Sequence, residues 1–97
     1  MEPMFVCALR IELFFPMVHS LKEKRGIVAP LVAGLSNRYR VSAAETGFQD
    51  LWQRCELGVA CVGSSASQVE HMLDECERFV WSFPELEISN IARSWLE

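Results

Sequence analysis

A chain of 97 residues with 51% hydrophobic and 23% charged side chains has the make-up of one globular domain, which excludes a disordered polymer. Thirteen acidic residues against nine Lys and Arg leave a net charge of -4, which speaks against a dedicated nucleic-acid binder but leaves room for a local basic patch. Four cysteines without a C-x-x-C pair give no zinc-ligand spacing and read as reduced core thiols.

The chain opens Met1-Glu2-Pro3, with no basic stretch and no small-residue cleavage site, so a signal peptide is not expected and the protein reads as cytoplasmic. From Met4 to Phe15 the residues alternate. Phe5, Cys7, Leu9, Ile11, Leu13 and Phe15 share one face; Val6, Ala8, Arg10, Glu12 and Phe14 share the other. Period two over this length predicts a strand, and the run is too short and too charged to span a bilayer. Pro16 ends it.

Ser20 and Glu23 have the spacing of a capping box. Leu21, Lys24, Val28, Leu31 and Leu35 follow at helical intervals, predicting a helix over 20–38. Gly26, Pro30 and Gly34 interrupt it, and Pro30 would crowd the carbonyl of Gly26, so a kink is expected there. Val41–Gly47 predicts a short strand with Val41, Ala43 and Glu45 on one face, and Glu56–Val62 a second. Ser67 and Glu70 repeat the capping-box spacing. Val69, Met72, Leu73, Cys76, Phe79, Val80 and Phe83 make an unbroken helical stripe, stopped by Pro84. Leu86–Ile91 reads as a last strand and 92–97 as a short tail.

Strand, helix, strand, strand, helix, strand is a split βαβ used twice. It predicts a single ferredoxin-like α+β domain over 1–97, core about 4–91. A four-stranded antiparallel sheet would carry both helices on one face, with right-handed crossovers. That topology sets His19–Arg25 beside the connection Gly47–Arg54.

These two segments carry a resemblance. His19-Ser20-Leu21-Lys22-Glu23-Lys24-Arg25, Asn37-Arg38-Tyr39, Val41-Ser42, Ala44-Glu45, Gln49-Asp50-Leu51-Trp52-Gln53-Arg54 and Glu56-Leu57-Gly58-Val59-Ala60 together resemble the YlxP-like family of small bacterial proteins. The resemblance runs from about Phe5 to Trp95. It implies a ferredoxin-like fold and a cytoplasmic bacterial protein, often encoded beside translation and ribosome-maturation factors. It implies no catalytic residues. Gly26, Pro30 and Gly34 depart from the family's more regular first helix.

Three surfaces are candidates for function. The first is His19, Lys22, Lys24 and Arg25 at a helix start, where free N–H groups and the dipole favour anions. It reads as an anion or RNA-phosphate site, with Arg54 joining, or as a solvated helix start. The second is Gln49, Asp50, Trp52, Gln53 and Arg54, where Trp52 is either a docking residue or a lid on the core, with Asp50 and Arg54 paired. The third is the open sheet face, small at Ala8, Gly58 and Ala60 and charged at Arg10, Glu12 and Glu56. It has no stacking aromatics at its centre, and it suits either a homo-oligomer or a wet monomer face.

An enzyme is not expected. His71 with Glu75 is an ordinary helical pair, and Ser64-Ser65 suits helix capping, with no base to make a nucleophile. No cofactor, metal or membrane partner is indicated. The leading expectation is a translation accessory whose partner is ribosomal RNA or a translation factor, the basic residues holding phosphates while Trp52 docks. The alternative is a self-associating domain that binds a small anion or a protein.

Overall fold

The strictly alternating first segment becomes β1 (Phe5–Phe14), the spine of the sheet. A computed structural model describes residues 1–96. After β1 come α1 (Leu21–Arg38), β2 (Ser42–Gly47), β3 (Arg54–Gly63), α2 (Ala66–Trp81) and β4 (Glu87–Trp95). The sheet order is β2-β3-β1-β4, and every neighbouring pair is antiparallel. This is the ferredoxin-like βαββαβ arrangement the element order predicts.

Burial follows the alternation. Cys7, Leu9, Ile11, Leu13 and Phe15 are buried from β1 and its end, and Cys55, Leu57, Val59 and Cys61 from β3. They meet Val28, Leu31 and Leu35 of α1 and Val69, Leu73, Cys76 and Val80 of α2. Each such side chain contributes about 1.5–3 kcal/mol on leaving water. All four cysteines are buried and free.

The helix starts are cap-driven. The Ser20 hydroxyl accepts from the Glu23 amide at 3.1 Å, and the Glu23 carboxylate returns to the His19 amide at 3.2 Å. The second helix begins earlier than the Ser67–Glu70 spacing suggests. Ser65 is its cap, accepting from the Gln68 amide at 3.2 Å. Ser65 sits where the chain leaves β3, so it is the residue with extended backbone available to cap.

α1 runs without a break through Pro30, which lies on the solvent side. Gly34 has a packing reason. A Cβ there would stand 2.5 Å from Cζ of Phe79, so glycine lets the two helices close on that ring. Phe79 also stacks edge-on with Tyr39 and Phe83 and lies under the Arg38 guanidinium.

The end of the chain corrects the sequence reading. Ala92–Trp95 is not a tail but the second half of β4, paired with β1 through Cys7↔Trp95 and Leu9↔Arg93. The period was hidden by a bulge. The register shifts between Glu12 and Leu13, where Ser89 donates to the Glu12 carbonyl at 3.2 Å. Ile88 therefore faces inward before the bulge and Ile91, Arg93 and Trp95 after it, offset by one residue. Arg93 then reaches α2, 2.7 Å from both Asp74 and Glu77.

Three of the thiols are pushed up by burial. Burial, helped by the Glu45 charge, pushes Cys55 up to about 12. Burial likewise pushes Cys76 up to about 11 and raises Cys61. A thiol raised in the folded state stabilises below the unfolded value of 9.0, and that contribution drains away as pH climbs towards the folded value. Urea stability is therefore expected to fall as pH rises from about 9 towards 12. In the double variant Cys55→Ala/Cys76→Ala that slope flattens, whatever the loss in overall stability. An unchanged slope would show that the thiols do not drive it.

Candidate functional site

Two connections meet at one end of the sheet, as the topology requires. The β1–α1 connection and the six residues between β2 and β3 are stitched together by Gln53. Its side-chain amide donates to the Pro16 and Val18 carbonyls, each at 3.2 Å, while its own carbonyl accepts from the Phe15 amide at 2.8 Å. Gln53 is thus a structural tie.

Lys24 is the second tie. It does not join the exposed basic cluster expected at the helix start. Its side chain is 2% exposed, and the ammonium donates to the Phe48 carbonyl at 2.6 Å and sits 2.9 Å from Glu45 Oε2. That carboxylate oxygen is buried, and this ammonium is its contact. The placement follows from the stripe: Lys24 shares the helix face of Val28, Leu31 and Leu35, and Glu45 shares the β2 face of Ala43. Both charges must turn inward, and they do so as a pair.

The clamp holds an unusual backbone. Phe48 has φ of 59°, a left-handed conformation that costs a bulky residue energy. Its carbonyl also accepts from the Leu51 amide at 3.0 Å, and the Arg54 guanidinium lies 3.9 Å from its ring centroid. Gln49 donates to the Glu45 carbonyl at 3.0 Å. Arg54 pairs with Glu12 at 3.8 Å rather than with Asp50, because β3 places it across from the end of β1.

Two large apolar side chains remain outward beside the exposed Gln49 and Asp50. Trp52 is 52% exposed and Leu51 45%. With Phe14, Asp50, Gln53 and Arg54 they line a notch of about 390 Å³. Trp52 is therefore not a lid on the core. Met17, in the neighbouring connection, is also exposed. His19, Lys22 and Arg25 remain exposed at the helix start, while Lys24 is spent internally and Arg54 is paired. Sequence reasoning missed Leu51 and Phe14 as partners of Trp52. Only the fold sets the end of β1 against the β2–β3 turn.

Arg10, Glu12 and Glu56 lie together on the open sheet face, with Arg10 Nε 3.5 Å from Glu56 Oε1. Among the described residues no group of His, Cys, Asp and Glu is arranged to hold a metal ion. No helix among them is long and apolar enough to cross a membrane.

The family model described as "Protein of unknown function (DUF503)" matches residues 6–93. "Uncharacterized protein YlxP" of Bacillus subtilis (strain 168) is 41% identical over 76 residues, which span 78% of this chain and 83% of that protein. The match takes in both connections of the stitched end and β4 as far as Arg93. On the family match and that identity, the chain belongs to the family of proteins of unknown function called DUF503.

Proposed function

We propose that this protein is a non-enzymatic, cytosolic accessory of the translation apparatus, which docks on a protein component of it through the Trp52 end. The carrying observation is the half-exposed Trp52 beside Leu51 and Phe14 over a notch that the Lys24 clamp holds in shape. A large aromatic on a preformed surface contributes contact area at little ordering cost, the usual build of a binding hot spot. The link to translation comes from the resemblance, through the gene neighbourhood its family implies. A protein surface fits this end better than bare ribosomal RNA. Lys24 is spent internally and Arg54 is paired, leaving His19, Lys22 and Arg25 to meet phosphates. Affinity for RNA grows with the number of phosphates neutralised, and three are few. Protonated, buried thiols supply no nucleophile, in keeping with a binding role.

Sedimentation of tagged protein with bacterial ribosomal particles tests this reading. Runs at low and moderate salt, with and without ribonuclease, separate the two partner classes. Recovery with a ribosomal protein or translation factor that survives both salt and nuclease is expected. Recovery abolished by nuclease and steeply weakened by salt would identify RNA instead, and no association with any component would end the proposal.

A further inference from the structure

The face of the sheet turned away from both helices has no cover within the chain. Its floor is small: Ala8, Ser42, Ala44, Gly58, Ala60 and Ala92 lie in adjacent rows across four strands. Beside that floor stand Arg10, Glu12, Arg54 and Glu56, with Glu87 across from Phe14 at the edge of the same face. Arg10 and Glu12, on the central strand, offer one charge of each sign to a facing copy.

Arg10 and Glu12 are under-used within one chain, whereas Glu56 Oε1 also accepts from the Thr46 hydroxyl at 2.8 Å. Arg10 and Glu56 approach to 3.5 Å, and Arg54 and Glu12 to 3.8 Å, against about 2.7–2.9 Å for a full charge-assisted bond. The Arg10 side chain is 69% exposed, so its guanidinium retains free donors. Arg10 and Glu12 are two residues apart on β1 and point the same way.

We propose that this face is the interface of a two-fold dimer whose occupant is a second copy of the chain. The axis crosses β1 at the level of Ile11. Arg10 of each copy then meets Glu12 of the other, the reciprocal contact an isologous interface requires. The same operation lays Phe14, the bulky end of the face, over the small rows at Ala8 and Ala60. Small side chains allow the two sheets to close to ordinary packing distance, about 10 Å. Strands of 10, 6, 10 and 9 residues, at about 3.3 Å per residue and about 4.8 Å apart, give roughly 550 Å² per copy. The total of about 1,100 Å² lies just under the low end of standard interfaces, the size of a weak, transient association. Both helices stay outside this interface, and Trp52 lies beyond the last paired row, Phe14↔Arg54. The two surfaces share Phe14 and Arg54 at that row, while Trp52 itself stays outside the dimer.

Charge-sorted variants test the pairing by sedimentation velocity. Arg10→Glu makes an all-acidic pair at positions 10 and 12, and Glu12→Arg an all-basic one. Wild type is expected to dimerise at tens of micromolar, and each variant alone to be at least tenfold weaker. An equimolar mixture should restore a dimer, because each acidic position then meets a basic one. Ala8→Glu, which the same operation sets against Phe14, gives a monomer independently of the Arg10–Glu12 pairs. Circular dichroism confirms the fold in each case. A wild type that stays monomeric at about 0.5 mM, where even weak specific interfaces fill, overturns the proposal. So does a variant that dimerises alone, or a mixture that does not. A Trp52→Ala chain keeps its dimer, because Trp52 itself lies outside the paired rows.

Discussion

Lys24→Ala is expected to lower stability by about 3 kcal/mol, the low end for breaking a buried ion pair, since Glu45 keeps some contact with solvent. The loss has three parts. The Glu45 carboxylate is left in a low-dielectric site without its counter-ion. The Phe48 carbonyl loses a 2.6 Å donor. The left-handed Phe48 backbone is no longer held from both sides. For a domain of this size such a loss lowers the melting temperature by roughly 12–20 °C. Lys22→Ala, one turn position away but exposed, should stay within about 0.5 kcal/mol. The double variant Lys24→Met/Glu45→Gln should recover much of the loss, because it removes both charges together. Urea unfolding midpoints measure all three. Equal midpoints for Lys24→Ala and Lys22→Ala would show that the clamp does not stabilise the fold.

The second large effect is on binding. Trp52→Ala is expected to weaken docking by about thirtyfold, the size of a hot-spot loss near 2 kcal/mol. Its stability should change by less than about 0.5 kcal/mol, because half of its surface is already in water and it is absent from the core cluster. The split between binding and stability is the informative part. Lys24→Ala should damage both, since it loosens the turn that presents Trp52. Trp52→Ala should damage binding alone. Titration against the recovered component, alongside a thermal melt, separates them. A Trp52→Ala protein that binds as wild type would move the docking surface elsewhere.

The fold was legible wherever period and burial agreed. β1 alternates without a fault, and α2 carries an unbroken stripe, so both stood out from spacing alone. The second half of β4 was not legible. One bulge residue shifts the period, and Arg93 and Trp95 then look like a charged and aromatic tail. The site was legible in outline. The element order set His19–Arg25 against Gln49–Arg54, and the structure joins them through Gln53 and Lys24. Which of those residues face outward was harder to read. Lys24 fits two patterns, a basic run and an apolar stripe, and only a buried acid on the opposing strand decides between them. Glu45 is that acid, and its alternation with Ala43 was the available signal. The partnership of Phe14 with Leu51 and Trp52 joins residues far apart in sequence, and no local pattern reports it.

The central claim is that the Trp52 end, and not another exposed aromatic, is the docking surface. The chain supplies its own control in Trp81, which is 60% exposed at the C-terminal end of α2. A photo-crosslinking side chain placed at position 52 or at position 81 of the full-length protein, in cells, makes the comparison directly. A crosslink to a protein of the translation apparatus is expected from position 52 and none from position 81. A crosslink from position 81 with silence at position 52 would contradict the claim.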